Sequence, residues 1–183
     1  MSFRKTVMIA SLAGVLGWGG GCQSNTKSAD VKAPIEQSLE QAGLKDVSVS
    51  QDRDKGVVTL SGTVASDDQR SQAESIARSL ASGQVVANQI GVRPPGSESV
   101  AKNVDSALDE AIDKNVKAEL IERRWEKDIR YDVKNGVVTL KGSVNSQARR
   151  SDVEKTVSGT PNVRQVVNEL EVKGQKASAT PRS

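Results

Sequence analysis

A chain of 183 residues has room for two small domains but not for one large enzyme, and 27% charged residues is the share of an ordinary globular protein. It has no histidine, the commonest general base, and a single cysteine, which excludes an internal disulfide. The formal charge of +3 includes Arg4 and Lys5; without the first 21 residues, 24 basic face 23 acidic residues, and only Trp125 and Tyr131 remain of the aromatics. That is too little charge and too few stacking platforms for a nucleic-acid partner.

Residues 1–21 read as a signal segment. Arg4 and Lys5 form a charged start, Val7–Leu16 an apolar run too short for a comfortable membrane span, and Gly19–Gly21 lead to Cys22. Residues 22–33 are small and polar, a flexible tether. Residues 34–92 form a first module. Pro34 suits the first turn of a short helix with Ile35, Leu39 and Ala42 on one stripe, and Gly43 ends it. Two strand-like runs then meet at Lys55-Gly56. Ser66 caps the next helix, with Gln69 completing a capping box, and Ala73, Ile76, Ala77 and Leu80 give its buried stripe. "QVVANQIGV" is a third strand.

"RPPGSES" at residues 93–99 is a linker. Residues 100–173 form a second module with a longer opening helix, whose apolar face runs from Val100, Val104 and Leu108 through Ala111, Ile112, Val116, Leu120 and Ile121 to Trp125. A hairpin at Asn135-Gly136, a helix from Gln147 and a strand over 163–172 follow; residues 174–183 read as a disordered tail.

The modules are copies. "GVVTLSGTV" and "GVVTLKGSV" place Gly56 and Gly136 80 positions apart, and the offset carries Ser66 onto Ser146, Arg70 onto Arg150, Glu74 onto Glu154 and Asn88 onto Asn168. The fold class expected is α+β: two tandem αββαβ units, each a three-stranded mixed sheet packed on two helices. Asn-Gly favours a two-residue type I′ turn, which sets Val133 opposite Val138, Tyr131 opposite Leu140 and Ile129 opposite Gly142. The same turn in the first copy sets Arg53 by Val58, Gln51 by Leu60 and Val49 by Gly62, leaving two polar inward places and a less stable module. Gly62 and Gly142 fall on the inward face, where a glycine permits close approach of a packed helix or a bulge. Asn88 and Asn168 lie on an apolar face and need partners, which nearby backbone can supply.

These motifs resemble the BON domain (bacterial osmotically inducible protein Y and nodulation), on the G-V-V-T-L-x-G-[ST]-V strand combined with the later V-x-N-x-[IL]-x-V, which includes Gly56, Gly62 and Asn88, and Gly136, Gly142 and Asn168. The charged start, apolar run, small residues and Cys22 resemble the lipobox of bacterial lipoproteins, with Gly19 where Leu is usual. Lipidation of Cys22 and simple cleavage near Gly21 both follow from that pattern. The absence of Asp after Cys22 implies the outer membrane over the inner. The combination is similar to dual-BON outer-membrane lipoproteins facing the periplasm. It implies a role in envelope or osmotic stress and contact of the second module with anionic phospholipid.

The residues offer little chemistry: no metal-binding cluster, P-loop or G-x-S-x-G, so neither enzyme activity nor a cofactor is expected. Asp109, Glu110 and Asp113 read as a solvated helix face. For a membrane, the second module is the better candidate, with 14 basic and 13 acidic residues against 6 and 9 over Asp30–Val92. Arg123, Arg124 and Lys127 surround Trp125, and Arg149, Arg150 and Lys155 lie on the following helix. Trp125 suits either the end of a core stripe or a membrane boundary. Two alternatives share these features: a periplasmic protein–protein interaction module, and a binder of small solutes or ions in osmotic stress.

Overall fold

The computed structural model describes residues 27–173; the signal segment, Cys22 and the tail over 174–183 lie outside the described residues. The first module runs α1 (Lys32–Gln41), β1 (Val47–Asp52), β2 (Val57–Val64), α2 (Asp67–Leu80), β3 (Val85–Asn88) and β4 (Gly91–Val92). The second runs α3 (Glu98–Glu122), β5 (Ile129–Lys134), β6 (Val137–Val144), α4 (Gln147–Ser158), β7 (Gln165–Asn168) and β8 (Glu171–Val172). β1 and β2 are antiparallel, while β3 and β4 pair parallel with β2 in one unbroken register. β5 to β8 repeat the pattern around β6. Each sheet is therefore three strands wide with the last strand interrupted once, as the αββαβ reading expects.

Both helices of a module cover one sheet face. Ile35 and Leu39 of α1 and Ala73 and Ala77 of α2 close over Val49, Val58 and Leu60. Ile112, Val116 and Leu120 of α3, with Val153 and Val157 of α4, close over Ile129, Val138 and Leu140. Burying each large side chain contributes about 1.5–3 kcal/mol, the main term holding modules of this size. Ser66 and Ser146 cap α2 and α4 by accepting the amides of Gln69 and Arg149. Gln69 returns its carbonyl to Ala65, one residue before the cap.

The second hairpin has the expected register, with Ile129 opposite Gly142, Tyr131 opposite Leu140 and Val133 opposite Val138. Asn135 and Gly136 have φ of 47° and 75°, as a type I′ turn requires. The first hairpin departs from expectation. Val47 faces Gly62, Val49 faces Leu60 and Gln51 faces Val58, two residues out of the anticipated pairing. Lysine does not favour positive φ, and Lys55 does not adopt it. The connection instead takes four residues, Arg53 to Gly56, with the Asp52 carboxylate accepting the amides of Asp54 and Lys55. Arg53 thus leaves the inward face altogether. Gln51 is half-buried and satisfied: it donates to Ala29 and Gln84 and accepts from the Val31 amide.

Those bonds also correct the tether. Its last part packs on the first module: the Ser28 amide donates to Arg53, Val31 is buried, and α1 opens at Lys32, before Pro34. The linker likewise ends early, because α3 begins at Glu98. Of the long apolar face on α3, only Ile112, Val116 and Leu120 are buried, since the sheet of the second module underlies only the later turns. Val100, Val104, Leu108 and Ile121 stay exposed.

Gly62 and Gly142 have φ of 112° and 122° and are exposed. A Cβ there would lie 2.0 Å from the Asp46 carbonyl oxygen and 2.2 Å from that of Asp128. The close neighbour is the chain entering the paired strand, not a packed helix. Asn88 and Asn168 find their partners nearby. Each donates to a helix glutamate, Glu74 or Glu154, at 2.8 Å and accepts the amide of Ile90 or Leu170 where the last strand breaks.

The modules touch through repeat-related positions. Val57, Ala87, Val137 and Val167, on the faces away from the helices, form a small apolar cluster between them. Lys55 pairs with Glu169 at 2.8 Å, and Asn135, its repeat counterpart, donates to Gln89, the counterpart of Glu169, at 2.8 Å. Asp109 accepts the amides of Asn135 and Gly136, each at 2.8 Å, so it holds the hairpin instead of standing in solvent.

Candidate functional site

At the C-terminal end of α3 the chain closes with the two hydrogen bonds of a Schellman motif. The Arg124 amide donates to Ile121 at 3.0 Å, and the Trp125 amide to Leu120 at 2.8 Å. This geometry needs a left-handed residue between them, and Arg124 supplies it with φ 57°. It also swings Trp125 back onto Leu120, so that the indole is only 8% exposed and joins the core. Trp125 is therefore a core residue and not a side chain projecting from the surface. Its indole N–H is buried and makes no hydrogen bond among the described residues.

The ring is flanked by cations. The Arg123 and Arg149 guanidinium carbons stand 5.4 Å and 5.0 Å from its centroid, within cation–π range. Arg149 is placed by the Ser146 cap, in the first turn of α4. Together with Arg124 and Lys173 these side chains line a cleft of about 250 Å³, whose other walls include Ser143, Asn145 and Asp128. Arg123 is shared with Glu119 at 3.3 Å and Lys173 with Asp128 at 3.5 Å. Arg124 and Arg149 make no ion pair among the described residues. Ser143, in the cleft wall, makes no side-chain hydrogen bond to Asp128 or Lys173 among the described residues, while those two meet each other. The chemistry of the cleft is that of an anion receptor, with guanidinium donors suited to phosphate or carboxylate oxygens.

The first module closes α1 in the same way, with Gly43 at φ 78° and the Leu44 amide donating to Leu39. The positions matching Arg123, Arg124, Trp125 and Arg149 are there Ala42, Gly43, Leu44 and Gln69. One backbone device thus carries a basic cleft in one module and none in the other.

Of the residues singled out from sequence, Arg123, Arg124, Trp125 and Arg149 come together. Lys127 and Lys155 are exposed and line no part of the cleft. Arg150 is spent on the fold, donating to the carbonyls of Asn168 at 2.7 Å and Leu170 at 2.9 Å. Lys173 was not anticipated, because only the parallel pairing of β8 with β6 brings the end of the module to this corner.

Among the described residues no helix is long and apolar enough to cross a membrane. The chain is 30% identical over 148 residues to osmotically-inducible protein Y of Escherichia coli, covering 80% of this chain and 71% of that one. It is 31% identical over 150 residues to an uncharacterised protein in the gshII 5′ region of Anaplasma centrale, covering 81% and 96%. Two structures of CdsD, a structural protein of the type III secretion system of Chlamydia trachomatis, overlap at TM-scores of 0.30 and 0.31 with 14% and 15% identity. They cover 76% and 78% of this chain, which spans 66% and 61% of theirs; overlaps this weak bear on neither fold nor function. The BON-domain family model matches residues 27–94 and again 108–174, one match on each module. The repeat, its two αββαβ units and these matches agree: the chain belongs to the BON-domain family.

Proposed function

We propose that this protein is a non-enzymatic component of the bacterial cell envelope that binds anionic phospholipid surfaces through the cleft at the end of α3. One observation carries the reading: Arg123, Arg124, Arg149 and Lys173 gather around Trp125 in the second module, where the first has Ala42, Gly43, Leu44 and Gln69. Each cation held near an anionic surface contributes about 1 kcal/mol. Four together support association that is weak and reversible and that fades with salt. Cys22 supplies the second attachment. A diacylglyceryl group there would keep the chain at the outer membrane, facing the periplasm, so that the cleft need only select the surface. Similarity to an osmotically inducible protein supports a part in osmotic or envelope stress.

The test is flotation of the chain without its lipid on phosphatidylglycerol-containing vesicles at low salt. Wild type floats; Arg149→Glu weakens binding about tenfold or more, by removing one attraction and adding one repulsion. Lys155→Glu, outside the cleft, changes it much less. The reading fails if wild type stays in the dense fraction, or if the two reversals cost the same.

A further inference from the structure

A second basic groove, of about 170 Å³, lies where the modules meet. Arg70, Glu74 and Arg78 reach it from α2, and Arg164 and Gln165 from the entry to β7, beside Asn88 and Val137. Arg164 is the member without a settled counter-charge. Its guanidinium lies over Gly136, where a Cβ would sit 2.8 Å from Nε, and donates to the Asn135 carbonyl. Unlike Arg70 and Arg78, it makes no ion pair among the described residues.

The carboxylates around it already have other partners, some of them within the groove. Asp67 pairs with Arg70, and Glu74 accepts from Arg78 and Asn88. Asp105 pairs with Arg93, and Asp109 accepts the two hairpin amides. Burial, and then the charge of Arg70, hold the Arg164 pKa below the ordinary guanidinium value, against the pull of Asp105, Asp67 and Asp109. Three guanidinium groups from two modules thus meet one carboxylate, Glu74, in the groove, and neither Glu74 nor Asp67 forms an ion pair with Arg164.

We infer that this groove is an anion site for a phosphate group, held between Arg70 of the first module and Arg164 of the second, and that its occupancy clamps the modules together. A tetrahedral oxyanion offers each guanidinium the pair of acceptors its fork geometry fits. The group can come from free phosphate or from a phospholipid headgroup, and the site is separate from the cleft at Trp125.

The experiment is an NMR titration of the whole chain with inorganic phosphate against sodium chloride at equal ionic strength. A parallel arm uses short-chain phosphatidylglycerol below its micellar concentration. The backbone amide of Asn88 and the side-chain amide of Gln165 report from the groove. They are expected to shift saturably in at least one arm, and the arm that moves them identifies the source. Arg164→Gln is expected to weaken the midpoint by about tenfold or more, the size of a lost charge-assisted contact. Arg164→Lys, which keeps the charge and loses the fork, falls between. Exposed Lys155→Gln leaves the midpoint unchanged. The inference is overturned if neither ligand moves these amides, or if Arg164→Gln, with a folded spectrum, titrates like wild type.

Discussion

Arg124 holds a backbone conformation that L-residues avoid, at φ 57°, while the matching place in the first module is Gly43 at φ 78°. A side chain in this region costs about 1–2 kcal/mol, part of which glycine gives back through its larger unfolded-state entropy. Arg124→Gly is therefore expected to raise stability by about 1 kcal/mol in urea denaturation while weakening vesicle binding several-fold, since it removes a cation worth about the same at an anionic surface. A variant no more stable than wild type would mean that contacts, and not tolerated strain, hold Arg124 in place. Tyr131 offers a separate readout, being the one tyrosine in the sequence. Its hydroxyl donates to the Asp113 carbonyl at 3.1 Å. Burial first, and then Asp113, push its pKa up to about 12 from 10.0. The folded state thus favours the neutral phenol, so this contribution is complete below pH 10 and disappears as pH rises from there to about 12. Phenolate absorbance should titrate near the upper value, and Tyr131→Phe should remove that part of the alkaline loss. Titration at the ordinary value would place the hydroxyl in water.

At the scale of single elements, the two hairpins show what a sequence can and cannot announce. Asn135-Gly136 states its own turn type, and the register of β5 on β6 follows from it residue by residue. Lys55-Gly56 occupies the matching place in the repeat, yet β1 slips by two residues. The deciding groups are Asp52, which caps a four-residue loop, and Gln51, which is satisfied by the chain before α1. Asp52 acts from three residues before Lys55, but the partners of Gln51 before α1 lie 20 and 22 positions away, beyond what the dipeptide itself announces. The same holds at the cleft. Arg123, Arg124 and Trp125 are contiguous and legible as a cluster, and Arg149 sits at a visible cap. Lys173 depends on strand pairing, and Arg150 is diverted by the carbonyls at the β7–β8 break. Two substitutions separate the hairpins. Asn135→Ala is expected to cost about 1–2 kcal/mol from the left-handed penalty alone, with more from the lost bond to Gln89. Lys55→Asn is expected to give no gain, because its position is not left-handed and the change removes the ion pair with Glu169. Chemical denaturation of the two variants checks both.

On the scale of the whole molecule, the junction follows the repeat without being fully symmetric. Val57 and Val137, Ala87 and Val167, and the pairs Lys55–Glu169 and Asn135–Gln89 all join related positions. Such an arrangement is what two copies of one module form when the same patch serves both sides. Gln165 breaks the symmetry. Val86 and Asn88 turn their backbone groups away from β2, at an open sheet edge. The Gln165 side chain meets both, donating to the Val86 carbonyl at 2.7 Å and accepting the Asn88 amide at 3.1 Å, as a neighbouring strand would. Its repeat counterpart, Val85, is 47% exposed and can do neither. No reading of one module at a time could assign Gln165 this role, because its partners lie 77 and 79 positions away. Gln165→Val copies the residue of the first module onto the second and deletes both bonds. Leaving these two edge groups without their partner should cost about 1–3 kcal/mol, felt at the junction and not inside either core. The Asn88 amide is then expected to exchange with solvent faster, while amides within β6 keep their protection. Calorimetry should show the single thermal transition of coupled modules broaden or divide. If Asn88 exchanges at the wild-type rate and the transition keeps its width, the Gln165 bridge contributes nothing to coupling, and the apolar cluster with its flanking polar pairs holds the modules alone.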